Sequence, residues 1–177
     1  PATALNPVFT PGRQVSEVLR EHEKISAREA RNRTIELFRQ VGIPAPERRI
    51  SHYPHQMSGG MRQRVMIAMA LANGPDLLIA DEPTTALDVT IQAQILRLLM
   101  DIRDRRGLSI ILISHDLGVV AQTCDRIAVL AERKVLVTGT MQEMQNVDHP
   151  WVHEYFHGPR ARAAQSSAAA PDRNGQE

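Results

Sequence analysis

The sequence is poor in cysteine and in aromatic residues. Cys124 is the only cysteine among the 177 residues, which excludes an internal disulfide and a cysteine-based metal site. Aromatic residues make up 3% of the chain, which is few for a surface that binds nucleic acid by base stacking. The simplest interpretation of Cys124 is a buried residue between a helix and a strand, with its thiol in the reduced form.

Charge of one sign and long apolar runs are also lacking. The formal net charge is +1 at pH 7, so no overall field favours nucleic acid or an anionic membrane. No apolar run approaches the ~20 residues that a membrane span needs, and no charged-then-apolar signal segment opens the chain. The hydrophobic content of 42% is ordinary for a globular domain. We therefore expect any membrane role to depend on a partner.

A serine and two glycines, Ser58-Gly59-Gly60, open a long apolar and basic run that has no further Gly or Pro until Gly74. Ser58 is a favourable helix N-cap, and the glycines allow a ligand to approach the backbone closely. The unpaired N–H groups and the dipole at a helix start favour an anion. Since many helices begin this way for capping alone, the motifs that follow decide the interpretation.

Those motifs occur in a fixed order. The apolar run Leu77–Ala80 ends at Asp81 and Glu82, as a buried parallel strand does when its carboxyl end carries chemistry. Asp88 precedes a helical pattern, for which it is a suitable N-cap. His115 follows a second apolar run. The two carboxylates could instead cap the next turn, and His115 could cap a strand end.

In this order the motifs resemble those of ABC ATPases. Residues 58–64 are similar to the signature, residues 77–84 to the Walker B motif, residues 86–88 to the D-loop, and His115 to the switch histidine. The extended motifs at residues 55–60 and 84–92 resemble those of the ATPase subunits of oligopeptide and dipeptide importers. The resemblance covers roughly Pro1 to Leu130.

The resemblance implies a P-loop NTPase-like α/β fold, here incomplete, with a helical subdomain and the C-terminal part of a parallel-sheet core. It implies ATP and Mg²⁺ as cofactors. Asp81 would hold Mg²⁺, Glu82 would be the general base for the attacking water, and His115 would donate a hydrogen bond to the γ-phosphate. The residues that would contact the nucleotide of an opposite subunit, or bridge to that subunit, are Ser58, Gly59, Gly60, Met61 and Asp88.

The chain is divided here into three parts. Residues 1–75 hold the Q-loop remainder, the helical subdomain and the signature helix. Residues 76–160 hold the Walker B, D-loop and H-loop part of the core with a C-terminal extension. Residues 161–177 are predicted to form a disordered tail.

Periodicity and caps predict four helices and four strands. The helices are Gln14–Glu23, Ser26–Val41, Ser58–Asn73 and Thr90–Arg106, and the strands are Leu77–Ala80, Ser109–Ile113, Arg126–Leu130 and Val135–Val137.

The family implies partners as well. They are a second ABC ATPase subunit and membrane-spanning permease subunits at the cytoplasmic face of the inner membrane, with no nucleic acid. The expected function is to bind and hydrolyse ATP and so energise import of peptides or a similar solute. Two alternatives stay open. One is a truncated, non-catalytic fragment. The other is a phospholipid-transport ATPase, because the sequence of the last ~45 residues is more similar to phospholipid-trafficking members of the family.

One motif of this family is missing from the 177 residues, the Gly-x-x-x-x-Gly-Lys-Ser/Thr loop that holds the β- and γ-phosphates. If the family pattern holds, the chain begins just after the Q-loop glutamine and the P-loop would lie upstream. The strands Leu77–Ala80 and Ser109–Ile113 would then have uncovered apolar faces.

We predict that the 177-residue chain alone binds Mg-ATP no tighter than about 1 mM, near −4 kcal/mol, and shows no measurable hydrolysis. The chain's candidate residues act on phosphate or water only after a nucleotide is held. Isothermal titration of the purified chain is the measurement. A dissociation constant of about 1 μM would mean that these residues hold the nucleotide by themselves.

Overall fold

The computed structural model describes residues 5–85 and 87–157, so the predicted tail at 161–177 lies outside the described residues. Contacts divide the chain into two compact units, with the boundary after Ile111. Among the described residues, no helix is long and apolar enough to cross a membrane. The elements in chain order are α1 (Pro11–His22), α2 (Ala27–Gln40), α3 (Pro46–Arg49), a 3-10 turn (Pro54–Gln56), α4 (Gly59–Leu71), β1 (Leu77–Asp81), α5 (Val89–Arg106), β2 (Ser109–Ile113), α6 (Leu117–Thr123), β3 (Ile127–Ala131), β4 (Lys134–Gly139), α7 (Met141–Gln145) and α8 (Pro150–His157).

Helix α1 begins earlier than predicted. The Thr10 side chain caps it by accepting a hydrogen bond from the Arg13 N–H, and Pro11 occupies the first helical position. Proline is favoured there because its fixed φ suits a helix and its missing N–H would have no partner. The prediction of a start at Gln14 was wrong because it relied on apolar spacing and passed over this threonine–proline signal.

Helix α2 follows its prediction closely. Ser26 caps it, with its hydroxyl oxygen 3.1 Å from the Glu29 N–H nitrogen, and Gly42 follows its end at φ 72°. The glycine takes the left-handed conformation that ends many helices. One side of this helix and its C-cap are buried, and α1 and α4 pack against the helix. The buried residues include Ala30, Thr34, Leu37, Phe38 and Val41.

Strands β1 and β2 pair with each other, and α5 connects them. Their alternate side chains are exposed, with 47% exposure for Leu77 and 62% for Ile79 on β1, and 49% for Ile111 and 48% for Ile113 on β2. The expected burial is therefore met on one face of β1, by Leu78 and Ala80, whereas Ile110 and Leu112 on β2 are only half-buried. The other face is apolar and exposed, as expected for the apolar faces of these two strands.

The second unit has its own small core. Strands β3 and β4 lie where the last two strands were predicted and pair antiparallel, and a β-bulge lies between Val129 and Leu130. Cys124 ends α6 and directly precedes the bend that leads into β3, the place predicted for it, but it is half-buried where we expected burial. The core of this unit is formed by Leu117, Ile127, Met144, Val152 and Phe156.

Candidate nucleotide site

The signature residues form the capped start of α4. The Ser58 hydroxyl oxygen accepts a hydrogen bond from the Met61 N–H at 3.2 Å, which confirms the predicted N-cap. Gly59 and Gly60 occupy the first two helical positions, where backbone N–H groups have no partner inside the helix. The preceding loop is held by Arg62, whose guanidinium donates to the Met57 carbonyl oxygen at 2.6 Å. Ser58 is exposed, Gly59 and Met61 are half-buried and Gly60 is buried.

Gly60 is buried because α5 lies directly against it. A Cβ atom at Gly60 would come within 2.7 Å of Ile91 Cγ2, a distance that real Cβ atoms essentially never show. A Cβ at Gly59 would lie 3.4 Å from Leu87 Cδ2, which is close to ordinary contact. The signature therefore packs on the D-loop and on the first turn of α5 within the first unit. At position 60 this packing leaves no room for a side chain.

Asp88 is the N-cap of α5. Its carboxylate oxygen accepts a hydrogen bond from the Ile91 N–H at 3.0 Å. A carboxylate here also interacts favourably with the helix dipole. The capping role that the sequence offered for Asp88 is thus observed, and the side chain is exposed.

Asp81 and Glu82 lie where β1 ends. Asp81 is the last residue of the strand and is exposed, whereas Glu82 is half-buried and has φ 45°. A left-handed conformation costs a residue with a side chain roughly 1–2 kcal/mol. The turn that holds it is closed twice by Thr85: its N–H donates to the Glu82 carbonyl oxygen at 3.2 Å, and its hydroxyl donates to Glu82 Oε2 at 2.9 Å.

His115 lies in the second unit, in the bend between β2 and α6, and is exposed. The residue that caps α6 is its neighbour Asp116, which accepts hydrogen bonds from the N–H groups of Gly118 at 2.9 Å and Val119 at 3.3 Å. The Ser114 hydroxyl in turn accepts from the Asp116 N–H at 3.0 Å. The helix cap beside His115 is therefore Asp116, and the strand-end capping offered as an alternative for His115 stays a prediction.

Asp81 is the candidate protein ligand for a metal ion at this site. Over residues 5–85 and 87–157, no group of three or more His, Cys, Asp or Glu side chains could hold a metal. Mg²⁺ is often bound by one or two carboxylates together with substrate phosphates. One exposed carboxylate at a strand end, Asp81, suits that mode and does not suit a preformed cage.

Three residues of this region were not singled out from the sequence. Thr85 contacts the Glu82 carboxylate, while Leu87 and Ile91 contact the signature glycines. A hydroxyl three residues after a carboxylate, with Pro83 between them, is a turn signal that could have identified Thr85. Ile91 offered no such signal, since it is an ordinary apolar residue within the predicted helix Thr90–Arg106.

Comparison with known proteins agrees with this architecture. The family described as "ABC transporter" matches residues 4–85. A dimeric structure of the ATP-binding cassette MJ0796 bound to ADP and Pi superposes with a TM-score of 0.67 and 33% identity, over 77% of this chain and 59% of that one. This is the fold of an ABC nucleotide-binding domain. The predicted fold class is confirmed.

Several curated relatives of this chain are named as transport ATP-binding proteins. A peptidoglycan transport ATP-binding protein of Agrobacterium fabrum is 51% identical over 173 residues, which are 97% of this chain and 32% of the relative. The oligopeptide transport ATP-binding protein OppD of Bacillus subtilis is 57% identical over 152 residues, 85% of this chain and 42% of the relative. A probable peptide ABC transporter ATP-binding protein of Sinorhizobium fredii is 50% identical over 169 residues, 94% of this chain and 50% of the relative. The chain thus spans half the length of these relatives or less.

We expect Gly60→Ala to lower the free energy of unfolding by about 1–3 kcal/mol, because the new methyl group would overlap Ile91 Cγ2. Ile91→Ala removes that atom, so the double variant Gly60→Ala/Ile91→Ala should lose less stability than the two single variants summed. Urea unfolding of the four proteins gives the coupling energy directly. Additive losses would show that α4 and α5 do not meet at these two positions.

Proposed function

We propose that this chain is part of an ATP-binding and ATP-hydrolysing subunit that energises the import of peptides or a similar solute. The observation that carries the proposal is the arrangement in the first unit, where a capped, glycine-opened helix packs on the D-loop and two carboxylates end the neighbouring strand. The relatives named for oligopeptide and peptide transport support the solute class.

The relatives also bear on the alternatives. The sequence of the last ~45 residues resembles phospholipid-trafficking ATPases, which left a phospholipid-transport ATPase as an alternative. A relative named for peptidoglycan transport, however, is 51% identical over 97% of the chain. That match runs through the C-terminal part, so we favour one transporter class for the whole chain. The alternative of a non-catalytic fragment is separated from the proposal by an ATPase assay.

In the proposed mechanism, bound ATP supplies the phosphoryl group and Mg²⁺ supplies positive charge that offsets its negative charge. Asp81 would hold Mg²⁺ as an oxygen ligand, and Glu82 would accept the proton of the attacking water. His115 would donate a hydrogen bond toward the γ-phosphate. The start of α4 fits an anion, because its first N–H groups and its dipole favour negative charge.

The proposal includes two kinds of partner. A second ABC ATPase subunit would supply the nucleotide that the signature residues Ser58, Gly59, Gly60 and Met61 contact, and Asp88 would bridge the two subunits. The structural neighbour MJ0796 is itself described as dimeric. Permease subunits would hold the assembly at the cytoplasmic face of the membrane. Nucleic acid is not expected as a partner, since the net charge is only +1.

In an ATPase that joins these 177 residues to a P-loop half, we expect Glu82→Gln to keep ATP binding and to lower turnover about 10²–10⁴-fold. The amide has nearly the shape of the carboxylate but cannot accept the proton of water. Phosphate release at saturating ATP measures turnover, and equilibrium titration measures binding. Turnover within a few fold of the parent would remove Glu82 from the proposed role.

In the same protein we expect Gly59→Asp to abolish ATP-dependent dimerisation while binding of ATP to the monomer persists. The added carboxylate would face the γ-phosphate of the partner's nucleotide. Gly59→Asn is the matched control, because it has the same size without the charge, and it should retain more dimer. Size-exclusion chromatography in a Glu82→Gln background makes the comparison. Equal dimer in the Asp and Asn variants would contradict the charge argument.

A further inference from the structure

The side chain of Thr85 forms a hydrogen bond with the carboxylate of Glu82. Its hydroxyl donates to Glu82 Oε2 at 2.9 Å, a normal length for an O–H···O hydrogen bond. The acceptor is a carboxylate, and hydrogen bonds to charged groups are the stronger ones. Thr85 is thus able to hold one oxygen of the carboxylate in place.

The backbone around this contact is constrained as well. Glu82 has φ 45°, Pro83 is buried with a ring that fixes its own φ, and the Thr85 N–H closes the turn onto the Glu82 carbonyl oxygen at 3.2 Å. These restraints fix where the Glu82 side chain leaves the backbone. The orientation of the carboxylate depends in addition on three side-chain torsions. The hydroxyl of Thr85 acts on that remaining freedom.

We propose that Thr85 is a positioning residue for Glu82, whose carboxylate it holds in one orientation for proton transfer from the attacking water. This inference rests on the proposed role of Glu82 as general base. A base that is misplaced by about 1 Å can lose about 100-fold in rate, because proton transfer requires hydrogen-bond reach in a defined direction. Thr85 itself touches neither water nor nucleotide in this proposal.

A different role for Thr85 would be to stabilise the turn alone. In that case its loss would lower folding stability and ATP affinity together with turnover. A positioning role instead separates these quantities: turnover falls, while KM and the unfolding midpoint stay close to those of the parent. The two roles also differ in what they do to the Glu82 carboxylate, which can be observed by NMR without nucleotide.

The experiment compares Thr85→Val, which has nearly the same shape without the hydroxyl, with Thr85→Ser, which keeps the hydroxyl. Thr90→Val is the matched control, because Thr90 is an exposed threonine in the first turn of α5. In the 177-residue chain, the side-chain carboxyl ¹³C resonance of Glu82 should shift in Thr85→Val and return in Thr85→Ser. In the ATPase that includes a P-loop half, Thr85→Val should lower kcat about 10- to 100-fold with KM within about twofold.

Each other outcome overturns the inference. An unshifted Glu82 resonance in Thr85→Val would show that the hydrogen bond does not hold the carboxylate. Parent-like kcat in Thr85→Val, beside an inactive Glu82→Gln, would refute Thr85 alone and leave the proposed function standing. Parent-like turnover in Glu82→Gln would refute both. A parallel loss of kcat, ATP affinity and stability that Thr85→Ser does not restore would indicate a turn-stabilising residue.

Discussion

The contact between Gly60 and Ile91 is the constraint on which the candidate site depends. It brings the start of α4 against the first turn of α5, with no room for even a methyl group between them. Two stretches that lie about thirty positions apart in the chain are therefore packed directly against each other. A displacement of the D-loop would shift the signature with it.

The end of β1 is built on a different principle, that of local strain offset by hydrogen bonds. Glu82 takes a conformation that side chains disfavour, and the turn bonds from Thr85 help to maintain it. Strained backbone of this kind is frequent at functional sites, where the surrounding structure over-determines it. Glu82 is one of four described non-glycine residues with a positive φ, and it is also the residue proposed as general base. The strain and the chemistry thus coincide at one position, although each was inferred separately.

Local signals in the sequence were enough for most of the elements. Ser58 and Asp88 were recognised as caps because a short polar side chain before an apolar helical pattern can accept hydrogen bonds from the first helix N–H groups. The start of α1 was missed because its signal, Thr10 and Pro11, precedes the apolar pattern. The exposure of Leu77 and Ile79 could be anticipated only from the motif that is missing, since the strand itself has the composition of a buried one. Contacts such as that between Gly60 and Ile91 cannot be predicted from a single sequence, because the local sequence around either residue does not indicate which residue it packs against.

The cap at Ser58 limits what this hydroxyl can offer to another molecule. A hydroxyl has one proton to donate and two lone pairs, and one lone pair already receives the Met61 N–H. The proton is therefore still available for an anion at the helix start. Aspartate at this position would cap the helix as well as serine does, but it has no proton to give and would repel an anion. A selection for folding alone would accept aspartate at position 58, whereas a selection for anion binding would reject it.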